Sequence, residues 1–303
     1  MMLHTLVVIA GPTAVGKTAM SIEVAKHLKT EILSADSRQF YKELTIGTAK
    51  PNHKELAACT HHFINNISLK EPYTAAQFEK EALALCEELF KQHQYLILTG
   101  GSGLYIDALC NGFDEAPPSN PSVRAELEEI FKIKGIKEIQ DVLFQLDPIY
   151  AAKVDIFNPQ RIMRALEINM ISGKNMQFFQ KGKPKQRPFN IMKICLTMDR
   201  ELLYERINNR VDKMVNQGLE DEALAYYHLK NLNALQTVGY KEFFDYFEGK
   251  YSYTEAIDKI KQNSRNYAKR QLTWFKRDKS YVWFDITKEK DAILPYILNQ
   301  TAI

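Results

Sequence analysis

Three short apolar runs stand in the first third of the chain, each closed by a small or polar residue, at residues 6–10, 31–36 and 95–99. Runs of this length without polar alternation are typical of strands buried on both faces of a parallel sheet. Between the runs, apolar positions recur at helical spacing over residues 17–29 and 74–93. Strands that alternate with helices in this way predict a doubly wound, parallel α/β sheet.

The pattern changes at Gly112, where three prolines fall within a few residues. From about residue 121 to 173 the periodicity is helical only, and a segment rich in lysine and proline then leads to another apolar strand at residues 191–197. The rest is mostly helical, with one late strand at residues 281–285. We therefore predict an α/β core in residues 1–115, a helical insertion domain in 116–189, and a return to the core with a helical C-terminal region in 190–303.

Composition places the chain among ordinary soluble globular proteins, since 45% of its 303 residues are hydrophobic and 25% are charged. No apolar run reaches the length of a membrane span, and the first residues lack the pattern of a signal peptide. We therefore expect a cytoplasmic protein without membrane contact. Four cysteines stand far apart without a C-x-x-C pair, which favours buried thiols over a zinc site or a disulfide framework. They are Cys59, Cys86, Cys110 and Cys195.

The net charge of +3 is small, but the basic residues are unevenly distributed. Six lysines or arginines and no acid lie between Glu167 and Asp199, and eight lie from Lys259 to Lys279 against a single acid, Asp278. Most charge runs are only solvated surface. A local excess of this size nevertheless favours a polyanionic partner such as a nucleic acid.

The stretch GPTAVGKT, directly after the first strand, fits the pattern G-x-x-x-x-G-K-[ST] at every fixed position. In such a loop, backbone N–H groups and the positive end of a helix dipole converge on one spot, which predicts phosphate binding. Lys17, which we expect to be solvent-accessible, adds a positive charge, and the Thr18 hydroxyl can ligate a magnesium ion that rides on the phosphates. The alternative is a tight turn with a chance lysine. The loop consists of Gly11, Pro12, Thr13, Ala14, Val15, Gly16, Lys17 and Thr18.

A loop that hydrolyses a nucleotide usually stands beside a second strand that ends in an acid. Here the candidate strand ends in Thr99, and the acid lies instead at Asp36, after the second strand. Open α/β sheets place their ligands at the carboxyl ends of the strands. Asp36 could simply cap the DSRQ turn, but its place beside the loop favours a catalytic or metal-binding role.

Longer stretches of the chain carry a resemblance to a known family. They are GPTAVGKT, SADSRQFYKELTIGTAKP, HHFINNISLKEPYTAAQF, LTGGSGLYIDAL, NPQRIMRALEI, RVDKMVNQGLEDE, TVGYKEF and AKRQLTWFKR. From residue 6 to about 285 the chain resembles the tRNA dimethylallyltransferases, also called tRNA isopentenyltransferases. These enzymes transfer the dimethylallyl group of dimethylallyl diphosphate to the exocyclic N6 amine of the adenosine 3′ of the anticodon. The resemblance implies that the loop holds a prenyl diphosphate, with Mg²⁺ as cofactor, and that tRNA is the acceptor.

The resemblance assigns chemical roles to several residues. Departure of the diphosphate builds negative charge, which the loop amides, Lys17 and magnesium would stabilise in the transition state. The adenine amine must lose a proton as the carbon attacks it, and Asp36 is the candidate general base. Thr13 is the candidate partner of the bridging oxygen or of the base, and Thr18 and Asp36 are the candidate magnesium ligands.

Positive side chains should also close over the departing diphosphate. Arg206 and Arg210 are four residues apart on the predicted helix after Asp199, beside an apolar stripe. The resemblance favours diphosphate contact, with Arg210 in a catalytic role; the alternative is a solvated basic face.

The reacting adenine must leave its stack and enter the protein, as in base flipping from a single-stranded loop. The resemblance implies contacts to the anticodon stem-loop of tRNA from six stretches of the chain. The residues are Asp36, Ser37, Arg38, Gln39, Ser102, Arg124, Gln160, Arg161, Ile162, Met163, Arg164, Thr237, Gly239, Tyr240, Lys269, Arg270, Gln271 and Trp274. For Trp274 a core position is an equally good interpretation. The family more often has threonine at the position of Ser102. Serine keeps the hydroxyl and lacks only the methyl group.

Three alternatives remain open from the residues alone. A free-adenylate isopentenyltransferase that makes cytokinin would share the loop and the early acid but needs no tRNA-binding insertion. A P-loop small-molecule kinase would place ATP in the loop, and an RNA-binding protein without activity would have little use for intact Lys17, Thr18 and Asp36. We expect the protein to act as a monomer.

Overall fold

The computed structural model describes residues 4–113, 116–179 and 184–301. Two lysines of the first basic cluster, Lys181 and Lys183, lie outside the described residues. Six strands form one parallel sheet in the order β3-β2-β4-β1-β5-β6. The strands are β1 (Thr5–Ala10), β2 (Ile32–Ser34), β3 (His61–His62), β4 (Tyr95–Gly100), β5 (Asn190–Thr197) and β6 (Val282–Asp285).

Helices connect the strands and make up most of the remaining described chain. They are α1 (Lys17–Leu28), α2 (His53–Ala58), α3 (Ala75–Leu89), α4 (Gly103–Asn111), α5 (Pro121–Leu146), α6 (Pro148–Ala151), α7 (Pro159–Ser172), α8 (Met176–Phe179), α9 (Arg200–Asn216), α10 (Leu219–Ala225), α11 (Tyr240–Phe247), α12 (Tyr253–Phe275) and α13 (Ile293–Thr301). Among the described residues, no helix combines the length and the apolar character needed to cross a membrane.

The central strand β1 is buried along its whole length. Leu6 and Val8 belong to one hydrophobic core, and Val7 and Ile9 belong to another. Successive side chains of a strand point to opposite faces, so both faces of the sheet are covered. This is why the strand reads as an unbroken apolar run, and it confirms the predicted doubly wound sheet.

The chain divides into two compact units. One consists of Met1–Cys110 with Gln186–Ile303 and holds the sheet; the other is Asn111–Lys185, against predicted insertion bounds of 116–189. The second unit is helical in its described residues and has its own core, in which α5 and α7 pack together. Within α5, Gly135 has φ +77° and interrupts the helix with a kink.

Candidate active site

The predicted phosphate loop lies between β1 and α1. Gly11 has φ +149°, and a Cβ there would lie 2.8 Å from the Leu196 carbonyl oxygen, so a larger residue would not fit. Gly16, with φ +110°, caps α1 without a side-chain hydrogen bond. The first turn of α1 therefore presents backbone N–H groups and the positive end of the helix dipole to an anion.

The Lys17 side chain is held inside this loop. Its Nζ donates a hydrogen bond to the Pro12 carbonyl at 2.8 Å. Burial lowers the pKa of Lys17 to about 8; Asp36 opposes the shift, whereas Arg210 adds to it. Lys17 is half-buried rather than exposed, so its ammonium group is partly shielded from water, while its side chain still borders a cavity. A charge desolvated in this way gains more from an incoming diphosphate than an exposed one would.

Asp36 follows β2 by two residues and caps the turn that it begins. Its Oδ1 accepts a hydrogen bond from the Arg38 backbone N–H at 3.0 Å. Burial lowers the pKa of Arg210, and the Asp36 carboxylate opposes that shift as it does for Lys17. The carboxylate thus caps a turn and also lies in the field of two cations.

A cavity of about 530 Å³ opens in front of Asp36. Helix α9 contributes Arg210 and an apolar wall of Ile207 and Val211, and α12 contributes Tyr267. A volume of this size is typical of a site for a small organic ligand or a nucleotide base. Further lining residues include Thr13, Ser37, Arg38, Gly47, Thr48, Met214, Thr237, Gly239, Lys241, Asn263, Ser264 and Arg270.

Asp36 also lines a second, small cavity of about 30 Å³. Lys17, Thr18 and Thr99 line it together with Asp36 and His61. The described residues contain no group of three or more His, Cys, Asp or Glu side chains that could hold a metal ion. One carboxylate and one hydroxyl nevertheless fit magnesium, which keeps several waters and takes phosphate oxygens as ligands.

Residues 39–278 match the family described as IPP transferase. The chain belongs to this family. It is 50% identical over 300 residues to the tRNA dimethylallyltransferase of Flavobacterium johnsoniae, with 97% of each chain covered. It is 48% identical over 296 residues to the enzyme of the same name from Christiangramia forsetii, with 98% of each covered.

Solved structures agree with this membership. The full-length tRNA isopentenylpyrophosphate transferase of Bacillus halodurans superposes with a TM-score of 0.73 at 38% identity, over 99% of this chain and 97% of that one. A eukaryotic dimethylallyltransferase acting on tRNA superposes with a TM-score of 0.75 at 26% identity, over 97% of this chain and 78% of that one. The arrangement of loop, turn and cavity in this family member therefore belongs to a transferase.

Some residues of the DSRQ turn line the large cavity, and others hold neighbouring backbone in place. Ser37 and Arg38 line the large cavity. The Gln39 amide donates to the carbonyls of Thr48 at 3.2 Å and Ala49 at 3.3 Å, so it holds the loop that contains these two residues.

Ser102 is buried, and its Oγ accepts the Ser37 backbone N–H at 3.0 Å. The Ser102 hydroxyl therefore anchors the turn, and its expected contact with tRNA stays a prediction.

Gln271 on α12 is also part of the scaffold. It is buried, its Oε1 accepts the Thr13 backbone N–H at 2.8 Å, and its Nε2 donates to the Gly101 carbonyl at 2.9 Å. Both ends of the amide are therefore committed to backbone, which gives Gln271 a structural role, and its expected contact with tRNA stays a prediction. Gln271 instead connects the phosphate loop to the turn after β4.

Tyr240 was also expected to contact tRNA. It is fully buried, and its hydroxyl donates to Glu222 at 2.5 Å. The Glu222 carboxylate also accepts the backbone N–H groups of Thr45, Ile46 and Gly47 at 2.9–3.0 Å. A buried phenol cannot contact tRNA; it helps Glu222 to hold the loop that brings Gly47 to the large cavity.

The QRIMR segment forms the start of α7 in the insertion. Ile162 and Met163 are 0% and 1% exposed and belong to the core of that unit, which corrects their assignment to tRNA. Gln160 and Arg161 are exposed. Arg124, on α5, donates to Glu128 at 3.0 Å and also to Gln160.

Arg164 points back into its own unit. It donates to Glu167 at 2.9 Å and to the Pro117 carbonyl at 2.6 Å. Burial alone would raise the pKa of Glu167, but hydrogen bonds from Ser119, Arg164 and the Asn120 backbone hold it below its ordinary value. The guanidinium is therefore a counter-ion for a carboxylate only 1% exposed, and a role in tRNA contact is not needed to explain it.

Helix α12 carries two kinds of residue. Trp274 is half-buried against Gly103, and its Nε1 donates to Asp107 at 2.8 Å, so the core interpretation applies to it. Lys269 and Arg270 are exposed, and Arg270 also lines the large cavity.

Of the two arginines predicted on α9, Arg210 reaches the cavity, whereas Arg206 is exposed and is not one of its lining residues. Two further cavity residues on α12, Asn263 and Ser264, were not predicted from the sequence. They lie four and three residues before Tyr267, respectively, on one helical face, a spacing that could have indicated them.

Proposed function

We propose that this chain transfers the dimethylallyl group from dimethylallyl diphosphate to the N6 amine of the adenosine 3′ of the anticodon in tRNA. One observation carries the proposal. Asp36 lines the small cavity with Lys17 and Thr18, and it also lines the large cavity with Arg210. A diphosphate on the loop and a base in the large cavity would therefore meet at one carboxylate.

The phosphate loop suits the leaving group. The amides at the start of α1 and the Lys17 ammonium would stabilise the charge that develops on the diphosphate as the allylic carbon–oxygen bond breaks. Arg210 adds a desolvated cation in the same field. Thr18 and Asp36 would hold magnesium, which when bound neutralises further diphosphate charge. The backbone of Thr13 is fixed by Gln271, so its side chain is well placed to orient the reacting groups.

The large cavity suits the acceptor. Ile207, Val211 and Met214 offer an apolar wall for the dimethylallyl group beside polar groups for a base. The amine of adenine is a poor nucleophile, because its lone pair is delocalised into the ring. Asp36 would accept its proton as the new carbon–nitrogen bond forms.

Exposed cations suit a tRNA partner. Arg161 in the insertion and Lys269 and Arg270 on α12 are all available to phosphates. The protein would act as a monomer in the cytoplasm, where tRNA is found.

Product analysis tests the proposal. The protein is incubated with dimethylallyl diphosphate, Mg²⁺ and unmodified tRNA; parallel reactions contain AMP instead of tRNA, or ATP with candidate small acceptors. We expect one dimethylallyl group on the adenosine next to the anticodon, located by nuclease digestion and mass spectrometry. Prenylated AMP with unchanged tRNA would identify an adenylate enzyme, and phosphate transfer from ATP would identify a kinase; either result overturns the proposal.

A further inference from the structure

His61 is a side chain of the small cavity to which the reaction described above gives no task. It begins β3, the short edge strand that pairs with β2, and it lines the cavity together with Lys17, Thr18 and Asp36. Its Nε2 is buried and has no hydrogen-bond partner within the described part of the chain. Buried polar atoms are almost always paired in folded proteins, so this nitrogen is available to a partner inside the cavity.

The other ring nitrogen fixes what Nε2 can do. His61 Nδ1 lies 2.8 Å from the Cys59 carbonyl oxygen, which can only accept a hydrogen bond. Nδ1 therefore carries the hydrogen, and Nε2 of the neutral ring presents a lone pair. Burial keeps the ring neutral, since it lowers the pKa of His61.

The size and lining of the cavity limit the partner. A volume of about 30 Å³ is enough for a water molecule, and the lining is polar enough to hold one. A water in the shell of a magnesium ion is a strong donor and needs acceptors around it. The acceptors that line the cavity include the Asp36 carboxylate and the His61 lone pair.

We infer that His61 Nε2 accepts a hydrogen bond from a water of the hydrated magnesium ion that accompanies the diphosphate, so that His61 is a positioning residue for the donor site. The inference rests on the proposed function, because it needs a diphosphate on the loop. It concerns the step at which donor and metal bind together, before tRNA is needed. Outer-shell partners of this kind typically change metal affinity tenfold to a hundredfold when they are removed.

Calorimetry of dimethylallyl diphosphate binding, without tRNA and over a series of Mg²⁺ concentrations, tests the inference. His61→Phe keeps a ring but removes the acceptor, and we expect it to raise the Mg²⁺ concentration for half-maximal donor binding by roughly tenfold. His61→Gln keeps an acceptor, and we expect it to stay within about threefold of wild type. A midpoint for His61→Phe within about twofold of wild type would overturn the inference.

His62→Phe is the matched control. His62 is the next residue of the same strand, its ring pairs with Glu31 at 2.5 Å, and it does not line the cavity. We expect His62→Phe to leave the Mg²⁺ midpoint unchanged, and an equal shift in both variants would overturn the inference in favour of a general need for β3. If wild type binds no donor at any Mg²⁺ concentration, the proposed function fails as well, whereas Mg²⁺-dependent binding in wild type confines any failure to His61.

A measurement on the unsubstituted protein covers the case in which His61→Phe does not fold. With ¹⁵N-labelled histidine, we expect His61 to carry its proton on Nδ1 and the Nε2 resonance to move when Mg²⁺ and dimethylallyl diphosphate are added together. Addition of either one alone should leave it in place. An Nε2 resonance that does not respond to the pair overturns the inference.

Discussion

At the scale of single residues, Asp36 combines a structural and a chemical task, and one substitution separates them. Asp36→Asn keeps an oxygen that can accept the Arg38 backbone N–H, so the turn should persist. The amide cannot take the proton of the adenine amine, and loss of a general base typically costs a factor of about a hundred to ten thousand. We expect normal tRNA binding and a single-turnover rate reduced by about that factor, measured by rapid quench with both substrates bound.

Two other outcomes for Asp36→Asn would be informative. A full single-turnover rate would mean that the carboxylate is neither the base nor an essential metal ligand. Weak donor binding with a normal rate at saturation would assign Asp36 to magnesium alone.

Lys17 allows a pH prediction. Its pKa of about 8 in the free protein means that the ammonium form is lost as the pH rises from 7 to 9. Diphosphate binding favours the ammonium form, so the Kd for dimethylallyl diphosphate should rise with pH, by roughly tenfold per unit above about pH 8. We expect Lys17→Arg, which stays charged, to bind more weakly but with a flat profile from pH 7 to 9, measured by calorimetry. A flat profile in wild type would mean that Lys17 is not the diphosphate ligand.

At the scale of secondary-structure elements, α7 offers a pair of arginines with different tasks. Arg161 is exposed and hydrogen-bonds through its backbone to Asn158, whereas Arg164 pairs with buried Glu167. We expect Arg161→Ala to weaken tRNA binding and to lower the slope of log affinity against log salt by about one, with an unchanged melting temperature.

Arg164→Ala should behave in the opposite way. It leaves Glu167 buried without its cation, and a broken buried pair costs about 3–5 kcal/mol. Arg164 is itself 34% exposed and Glu167 keeps two other donors, so we expect about 2 kcal/mol of lost unfolding free energy, measured by urea titration. A lower salt slope at unchanged stability would return Arg164 to the tRNA surface.

The elements themselves were largely predictable from the sequence. Five of the strands follow from apolar runs, and the observed bounds lie within two residues of the predicted ones. Burial on both faces explains the unbroken apolar runs of β1, β2 and β4. The two residues of β3 carry no pattern and were missed, and His61 was missed with them. A motif does not show which of its members turn inward: Ile162 and Tyr240 stand in the same stretches as exposed cations, and only packing separates them.

At the scale of the whole molecule, the first and last residues of the second unit lie close to each other. The Lys185 backbone N–H donates to the Asn111 carbonyl at 2.7 Å, so both ends of the second unit lie side by side. Each unit also has a core made only of its own residues. A unit with its own core and adjacent ends is suited to removal without loss of the remaining fold.

We therefore predict the behaviour of a variant in which two glycines replace residues 112–184. Two residues easily span the gap between the hydrogen-bonded ends. The phosphate loop, Asp36, Arg210 and Gln271 all lie in the retained unit, so dimethylallyl diphosphate should bind within about threefold of the full chain by calorimetry. Arg161 is removed with the insertion, and tRNA affinity should fall by about tenfold or more in a filter-binding assay, with a smaller salt slope. A cooperative thermal transition is the control for folding. If the shortened protein melts cooperatively and binds tRNA as tightly as the full chain, the assignment of tRNA binding to the insertion is wrong.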